Sequence, residues 1–135
     1  MSWDFNDRDL GELFDSLYTA LDHDLTVLAA SEVRTVFDLA TTKLGIEPDL
    51  SFEKKIEALK AQGRIGQYEQ EDLSAMVDAA SAAMHRGWKP NPRDLDTMMT
   101  TLERFIQHSF ALKGKAAKLK EKVPPRLKRI RPEVS

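Results

Sequence analysis

The chain has 135 residues, of which 41% are hydrophobic and 31% are charged, a composition that favours one globular domain and argues against extensive disorder. It contains no cysteine, which excludes disulfides and thiolate metal sites and predicts a cytoplasmic protein. No apolar run approaches the roughly 18 residues of a membrane helix, and the opening MSWDFNDRDL lacks a secretory pattern, so we expect no membrane span.

The first two predicted helices are separated by a short break. Apolar residues recur at three- and four-residue steps over 8–22, which gives one stripe and predicts a helix. The pair His23-Asp24 interrupts the pattern, and we expect Asp24 to cap a second helix over about 25–44. Gly45 is suited to end that helix, because a residue without Cβ adopts positive φ without strain.

A third, shorter helix is predicted to start at the N-cap Ser51 and to end at Gly63. A fourth helix is predicted over about 69–85. Its second half is rich in alanine. Since small side chains let another backbone approach closely, we expect tight packing there rather than a pocket.

The last predicted helix begins with Asn91 as N-cap and Pro92 in its first turn. We expect it to continue past Gly114 to about Lys122 and to end before Pro124-Pro125. The chain shows neither strand-like alternation nor an internal repeat. The sequence therefore predicts an all-α fold, an antiparallel four-helix bundle plus one short helix.

Charge divides the chain into two parts. Residues 113–135 carry nine Lys or Arg and two Glu, a net charge of +7, whereas residues 1–112 carry a net charge of −9. We predict a helical bundle domain over 1–112 and a basic C-terminal tail over 113–135. Such a tail can bind nucleic acid, an anionic membrane or an acidic protein face, fold back on its own acidic body, or aid solubility. Its candidate binding residues are Lys113, Lys115, Lys118, Lys120, Lys122, Arg126, Lys128, Arg129 and Arg131.

Few residues indicate catalytic chemistry. The chain has no phosphate loop, dinucleotide glycine pattern or His-Glu-x-x-His pair. The three histidines, His23, His85 and His108, lie far apart in sequence, and none has a second ligand at helical spacing. We therefore expect neither a metal site nor a cofactor.

His85 stands at the predicted end of the fourth helix, in the stretch MHRGWKPNP. It could be a catalytic group, a ligand or a structural residue at the helix end. A protonated histidine there interacts favourably with the negative end of the helix dipole, as does Arg86, and the residues alone favour this structural role. Trp88 is then expected to pack over the helix end.

Arg34 is unusual because it lies between Val33 and Val36 in the mostly apolar second helix. One interpretation places it on the exposed face, paired with Asp38 four residues later. The other makes it partly buried, bonding carbonyls or a carboxylate near the end of the bundle. We favour the second.

The chain resembles a bacterial helical domain of unknown function that is grouped with the HEPN superfamily, the higher-eukaryote and prokaryote nucleotide-binding domains. The resemblance covers about residues 10–110. It is carried by four stretches in order: EVRTVFDLATTKLGI (32–46), SFEKKIEALKAQGRI (51–65), AMVDAASAAMHRG (75–87) and RDLDTMMTTLERFIQHSF (93–110). It implies an antiparallel helical bundle that often dimerises, commonly in defence, toxin or restriction settings.

Many HEPN members are metal-independent endoribonucleases, and the resemblance implies a signature of an Arg followed after four to six residues by a His. His85 falls on that histidine. The arginine would fall at 78, 79 or 80, where this chain has Asp78, Ala79 and Ala80. A phosphate-cleaving site without its cation loses its main electrostatic device, so we interpret the chain as a non-catalytic HEPN-like domain.

Three functions stay open. The first is an interaction module that binds a protein partner, or RNA or DNA through the basic tail. The second is an endoribonuclease that uses His85 as acid–base group with Arg34, Arg64 or Arg86 as its cation. The third is an antitoxin or regulator that covers a larger enzyme.

We also expect a homodimer. The slim stretch LSAMVDAASAAM offers a close-packing face, and two aromatic residues outside any stripe, Trp3 and Phe5, could cover a partner subunit.

Overall fold

The computed structural model describes residues 7–127, apart from the side chains of 111–116. Its regular structure over this range is entirely helical, which confirms the all-α class. The helices are α1 (Arg8–Asp22), α2 (Thr26–Lys43), α3 (Phe52–Ala61), α4 (Gln67–His85), α5 (Pro92–Ile106), a π-helical turn (Gln107–Ala111) and α6 (Leu112–Lys122). Trp3, Phe5, Lys128, Arg129 and Arg131 lie outside the described residues.

Side chains at the helix starts satisfy backbone N–H groups that have no partner within the helix. Ser51 accepts from the N–H of Lys54 at 3.2 Å, and Asn91 accepts from the N–H of Asp94 at 2.8 Å. Both predicted caps are therefore confirmed. Pro92 occupies the first turn of α5, as predicted, where its missing N–H costs nothing.

The prediction that Asp24 caps α2 is wrong, because the N-cap of α2 is Leu25. Asp24 instead adopts a left-handed conformation with φ +57° and closes the end of α1. The N–H of Leu25 donates to the carbonyl of Ala20 at 2.9 Å, the bond of a Schellman turn. Aspartate tolerates this conformation better than most residues, so it ends one helix rather than starting the next.

Gly45 and Gly63 close α2 and α3 in the same way, with φ of +85° and +72°. Beyond them, the N–H of Ile46 reaches the carbonyl of Thr41 and the N–H of Arg64 reaches that of Leu59, each at 3.0 Å. Both predicted helix ends are confirmed.

Helix α2 is central to the packing, since it contacts α1, α4 and α5, while α3 and α5 both pack against α4. Phe37 of α2 lies 5.4 Å from Phe105 of α5, ring centroid to centroid, which joins two helices that are distant in sequence. Burial of such apolar surface is the main favourable term in folding. The largest fully buried side chains include Phe14, Phe37, Leu10, Leu17, Ile56, Leu59, Leu73 and Leu102.

The last helical segment is continuous from Pro92 to Lys122. Within it, the π-helical turn separates the two α-helices α5 and α6. The predicted continuation past Gly114 and the stop before Pro124 are confirmed, and the π-helical turn was not foreseen. Helix α6 makes its main contacts with that turn, and its described side chains are exposed. None of the described helices is long and apolar enough to cross a membrane.

Candidate functional site

His85 is the last residue of α4, and its side chain is exposed. Its imidazole has neither a hydrogen bond nor an ion pair with any side chain or backbone group of residues 7–127. Beyond it the N–H of Trp88 reaches back to the carbonyl of Ala82 at 3.2 Å, which ties the chain to the helix end. The position matches the expected helix-end role, and no described group orients the imidazole for proton transfer.

Arg86 binds Asp78, which is one of the three positions, 78 to 80, where the resemblance implies an arginine. Its Nη2 donates to Asp78 Oδ1 at 2.6 Å and to the Asp78 backbone carbonyl at 2.9 Å. The cation next to His85 is thus neutralised by a carboxylate from its own helix. In this arrangement the Arg86 guanidinium points to Asp78, in a pair whose two side chains are more than half exposed.

Arg34 is half-buried, so the structure agrees with the interpretation that we favoured, but its partners differ from those expected. Its guanidinium carbon lies 4.7 Å from the centroid of Phe52, and its Nη1 lies 3.5 Å from the sulfur of Met84. The Nε atom is buried and has no hydrogen-bond partner among the described residues. Arg34 therefore packs against an aromatic ring and a thioether, where we expected carbonyls or a carboxylate.

Lys55 occupies a place that the sequence did not indicate. It lies on α3 between the expected core positions Phe52 and Ile56 and is only 3% exposed. Its ammonium forms an ion pair with Asp38 of α2 and lies 5.2 Å from the centroid of the Phe52 ring. Asp38 therefore pairs with Lys55 and not with Arg34, as the first interpretation of Arg34 required.

Together these residues form the Phe52 cluster, which we define as Arg34, Asp38, Phe52, Lys55 and Met84. It joins α2, α3 and α4, with two cations against one aromatic ring. A single sequence could not reveal it, because α3 alone shows Lys55 as one of several lysines on a polar helix.

Arg64, the third cation considered for catalysis, lies in the connection between α3 and α4, where its Nε donates to Gln62 at 2.9 Å. The tail cations Lys118, Lys120, Lys122 and Arg126 are exposed, and the side chains of Lys113 and Lys115 are not described. The structure therefore brings none of the described tail cations to His85.

A groove runs between α4 and α5, which we call the α4–α5 groove. It consists of two joined hollows of about 320 and 220 Å³ that share Asp72 and Thr101. Apolar groups form part of its lining: Leu73, Ala75, Met76, Ala79, Trp88, Met98 and Phe105. Acidic side chains also line it: Glu69, Asp72 and Asp94.

The groove corrects one expectation about the alanine-rich half of α4. Ala80 and Ala83 are buried, so tight packing holds on the inner face. Ala75 and Ala79, however, line the groove, where we expected no pocket. Their small side chains face a space that no described part of this chain fills.

Arg104 and His108 also line the groove, and sequence reasoning missed them. Arg104 is in the last turn of α5 and His108 follows four residues later in the π-helical turn, and both line the groove. That spacing was the available signal. With Glu69 and Asp72 opposite, this end of the groove offers hydrogen-bonding groups of both charge signs.

A second surface, the end patch, lies where the α1–α2 turn meets the end of α4. Four large apolar side chains, Leu25, Val27, Leu28 and Trp88, are each between 39% and 59% exposed there. They line a hollow of about 520 Å³. Trp88 also lines the α4–α5 groove, so it lies between the two surfaces.

Metal binding has no support in the part of the chain that the structure describes. No three His, Asp or Glu side chains among these residues are placed to hold an ion.

One protein-family model matches most of the chain. The family model described as "Domain of unknown function (DUF4145)" matches residues 15–122, from within α1 to the last residue of α6. No curated protein and no solved structure matches the chain. The expected domain of unknown function is confirmed, while the HEPN relationship and the degenerate Arg–His motif stay predictions. The chain belongs to the DUF4145 family.

Proposed function

We propose that this protein is a non-catalytic, HEPN-like helical interaction module that acts as a homodimer and binds a protein partner through the end patch. The fold is proposed to be a four-helix bundle with α3 as the additional short helix. The settings implied by the HEPN resemblance are defence and toxin–antitoxin systems. Binding of RNA or DNA through the basic residues of α6 and the tail is the alternative that the experiment below separates.

The observation that carries this proposal is the end patch. Folding normally removes large aliphatic and aromatic side chains from water, yet Leu25, Val27, Leu28 and Trp88 stay accessible side by side. Contiguous exposed apolar surface with a hollow at its centre is typical of protein interaction sites. A partner segment with aliphatic or aromatic side chains would fit it, since Asp24 and Lys89 at its edge can pair with polar groups around such an anchor.

Arg86 and Arg34 already contact other groups of the protein, which supports the non-catalytic part of the proposal. Cleavage of a phosphodiester without a metal requires a group that stabilises the charge developing on phosphate. Arg86 is paired with Asp78, and Arg34 is packed against Phe52 and Met84. His85 therefore lacks a free arginine among its described neighbours.

A capture experiment with matched variants tests the proposal. The tagged full-length protein is incubated with lysate of its native host, beside Val27→Asp in the end patch and Tyr68→Asp on an exposed part of α4. Tyr68 is 82% exposed, so its substitution controls for a new surface charge. We expect one stoichiometric protein to be retained by the wild type and by Tyr68→Asp and to be lost with Val27→Asp.

Retention of the same protein by the wild type and by both variants, or by none of the three, would contradict binding through the end patch. The nucleic-acid alternative is tested with labelled RNA and DNA over a salt series. Binding whose affinity falls by several logarithmic units per unit of log salt concentration would favour the tail as the functional surface. RNA cleavage by the wild type that is absent in His85→Ala would overturn the non-catalytic assignment.

A further inference from the structure

Helix α6 has no partner within the described chain. It leaves the body as the continuation of α5 and makes its main contacts with the π-helical turn that precedes it. Leu119 and Val123 are 63% and 55% exposed, and their four-residue spacing puts them on one side of the helix. Lys118, Lys120 and Lys122 surround them. The described part of α6 is therefore a basic helix with an unpaired apolar side.

The α4–α5 groove has the complementary character. Its lining includes Ala75, Ala79 and Met98, and its three carboxylates, Glu69, Asp72 and Asp94, outnumber the cation Arg104. Small side chains along one wall allow a helix backbone to approach closely. Apolar groups of α6 can enter this groove while its lysines meet the carboxylates.

The two features also agree in length. Helix α6 has 11 residues, which corresponds to about 16 Å at 1.5 Å per residue. Along α5 and the start of the π-helical turn the groove extends from Asp94 to His108, about 21 Å by the same rise. The groove is thus long enough to receive the whole helix.

The α6 of the same chain cannot occupy this groove. Its helix is continuous with α5, from Pro92 to Lys122, and α5 forms one wall of the groove. To reach the groove, α6 would have to reverse direction at the π-helical turn, and helical hydrogen bonding continues through that turn. A groove that α6 fits and its own chain cannot fill points to a second copy.

We propose that α6 of one copy lies in the α4–α5 groove of a second copy and that the exchange is reciprocal. The two α5–α6 helices then run antiparallel across a two-fold axis. Since the groove ends at His108 and α6 begins at Leu112, the axis passes near residue 110. Leu119 consequently lies beside Thr101 of the partner subunit, and Val123 lies beside Thr97 of the partner subunit.

This inference rests on the homodimer in the proposed function and adds its contact surface. It leaves the end patch open for a protein partner, apart from Trp88, which both surfaces share. The match to the family model includes the whole of α6, so this helix is part of the domain that the family model describes.

Sedimentation equilibrium of the full-length protein at micromolar concentration gives the first test. We expect a mass of about twice 15.3 kDa for the wild type and half of that for Leu119→Glu/Val123→Glu. Both replaced side chains are exposed, and circular dichroism shows whether the helical body is retained. Val27→Asp, which changes the other apolar surface, is expected to stay dimeric.

A wild-type monomer overturns both the dimer and its proposed surface. A dimer that survives Leu119→Glu/Val123→Glu, or one that dissociates on Val27→Asp instead, overturns the α6 exchange and leaves the homodimer standing. Neither result depends on the capture experiment, because that experiment measures the retention of a different protein.

Engineered cysteines give the second test, because the natural chain has none. In the variant Thr101→Cys/Leu119→Cys the two positions of one chain lie about 27 Å apart along a continuous helix, too far for an internal disulfide. Mild oxidation is therefore expected to give a covalent dimer on a non-reducing gel. Thr42→Cys/Leu119→Cys is the matched control, since Thr42 is an exposed threonine on α2. Equal cross-linking in both variants, or none in the first, overturns the exchange.

Discussion

Arg86 reaches back two helical turns and binds both the carboxylate and the backbone carbonyl of Asp78, at 2.6 and 2.9 Å. Asp78 is one of the three positions, 78 to 80, at which the resemblance to HEPN ribonucleases implies an arginine. It also holds the cation beside His85 in a pair within its own helix. Whether the Arg86 guanidinium is available beside His85 therefore depends on whether that pair opens.

We predict that Asp78→Ala frees Arg86 without creating RNA cleavage and with little loss of stability. Both side chains are more than half exposed, so the pair contributes less than about 1 kcal/mol to the free energy of unfolding. The measurement is urea unfolding together with incubation of purified protein with mixed RNA. Arg86→Ala is the control, because it removes the cation itself.

Cleavage of RNA by Asp78→Ala that is absent in Asp78→Ala/Arg86→Ala would contradict this prediction. It would show that Asp78 suppresses an active site in which Arg86 supplies the missing cation.

The helices of this protein could be predicted from the sequence because their signals are local. The caps Ser51 and Asn91 and the terminating Gly45 act on backbone groups within a few residues of themselves. The prediction for Asp24 was wrong for a related reason. Aspartate can start a helix or end one, and only the neighbouring turn decides between the two.

The Phe52 cluster and the α4–α5 groove could not be predicted, because they depend on how helices meet. Lys55 is one of three lysines on α3, and only the approach of Asp38 from α2 singles it out as buried. Ala75 and Ala79 have the composition of a packed face, yet the spacing of α4 and α5 leaves them lining a groove. Periodicity assigns a residue to a helix face but does not tell what covers that face.

We predict that Asp38→Ala destabilises the protein more than Lys55→Met does. Removal of the carboxylate leaves an ammonium that is 3% exposed without its partner, whereas methionine replaces the whole buried side chain with one of similar length. Asp38 itself is 46% exposed, which moderates the loss to about 2 kcal/mol, and Lys55→Met is expected to stay within about 1 kcal/mol of the wild type.

Urea unfolding of the two single variants and of Asp38→Ala/Lys55→Met checks this order. The double variant is expected to be more stable than Asp38→Ala alone, because the buried ammonium of Lys55 is no longer present without its partner. The reverse order of the single variants would show that the ion pair is weak and that packing of the lysine stem dominates.

We predict that Asp7 stabilises the folded protein at neutral pH and that this contribution is lost in acid. Its carboxylate accepts from the N–H of Leu10 at 3.1 Å and from Lys43 Nζ at 3.0 Å. Burial alone would raise the pKa of Asp7, but these hydrogen bonds and the charge of Lys43 outweigh it and lower the pKa below 3.8. A lowered carboxyl pKa stabilises the folded state above the unfolded pKa, and this contribution is lost as the pH falls through the folded pKa.

The variant Asp7→Asn keeps a capping side chain and removes the charge. It is expected to be less stable than the wild type by about 0.5 kcal/mol at pH 7, and the difference is expected to be smaller at pH 3, because the charge contribution is lost as the pH falls through the folded pKa. Urea unfolding at the two pH values measures the difference. A difference of the same size at both would mean that capping alone, and not charge, accounts for the role of Asp7.

We predict the opposite pH dependence at Glu103, a half-buried residue of α5. Burial raises its pKa above 4.5, and the negative charge of Asp96 raises it further, while a hydrogen bond from Tyr18 acts in the other direction. Between pH 4.5 and the folded pKa the native state therefore binds more protons than the unfolded state. Stability at this residue falls as the pH rises through that window, and the ionised carboxylate is unfavourable at neutral pH.

Glu103→Gln keeps an acceptor for Tyr18 and removes the charge, so it is expected to raise the urea midpoint at pH 7 and to leave it unchanged below pH 4. Asp96→Asn, which removes only the neighbouring charge, is expected to give a smaller increase at pH 7. A lower midpoint for Glu103→Gln at pH 7 would mean that the carboxylate's hydrogen bond with Tyr18 outweighs its desolvation, and that this polar contact between α1 and α5 stabilises the fold in its charged form.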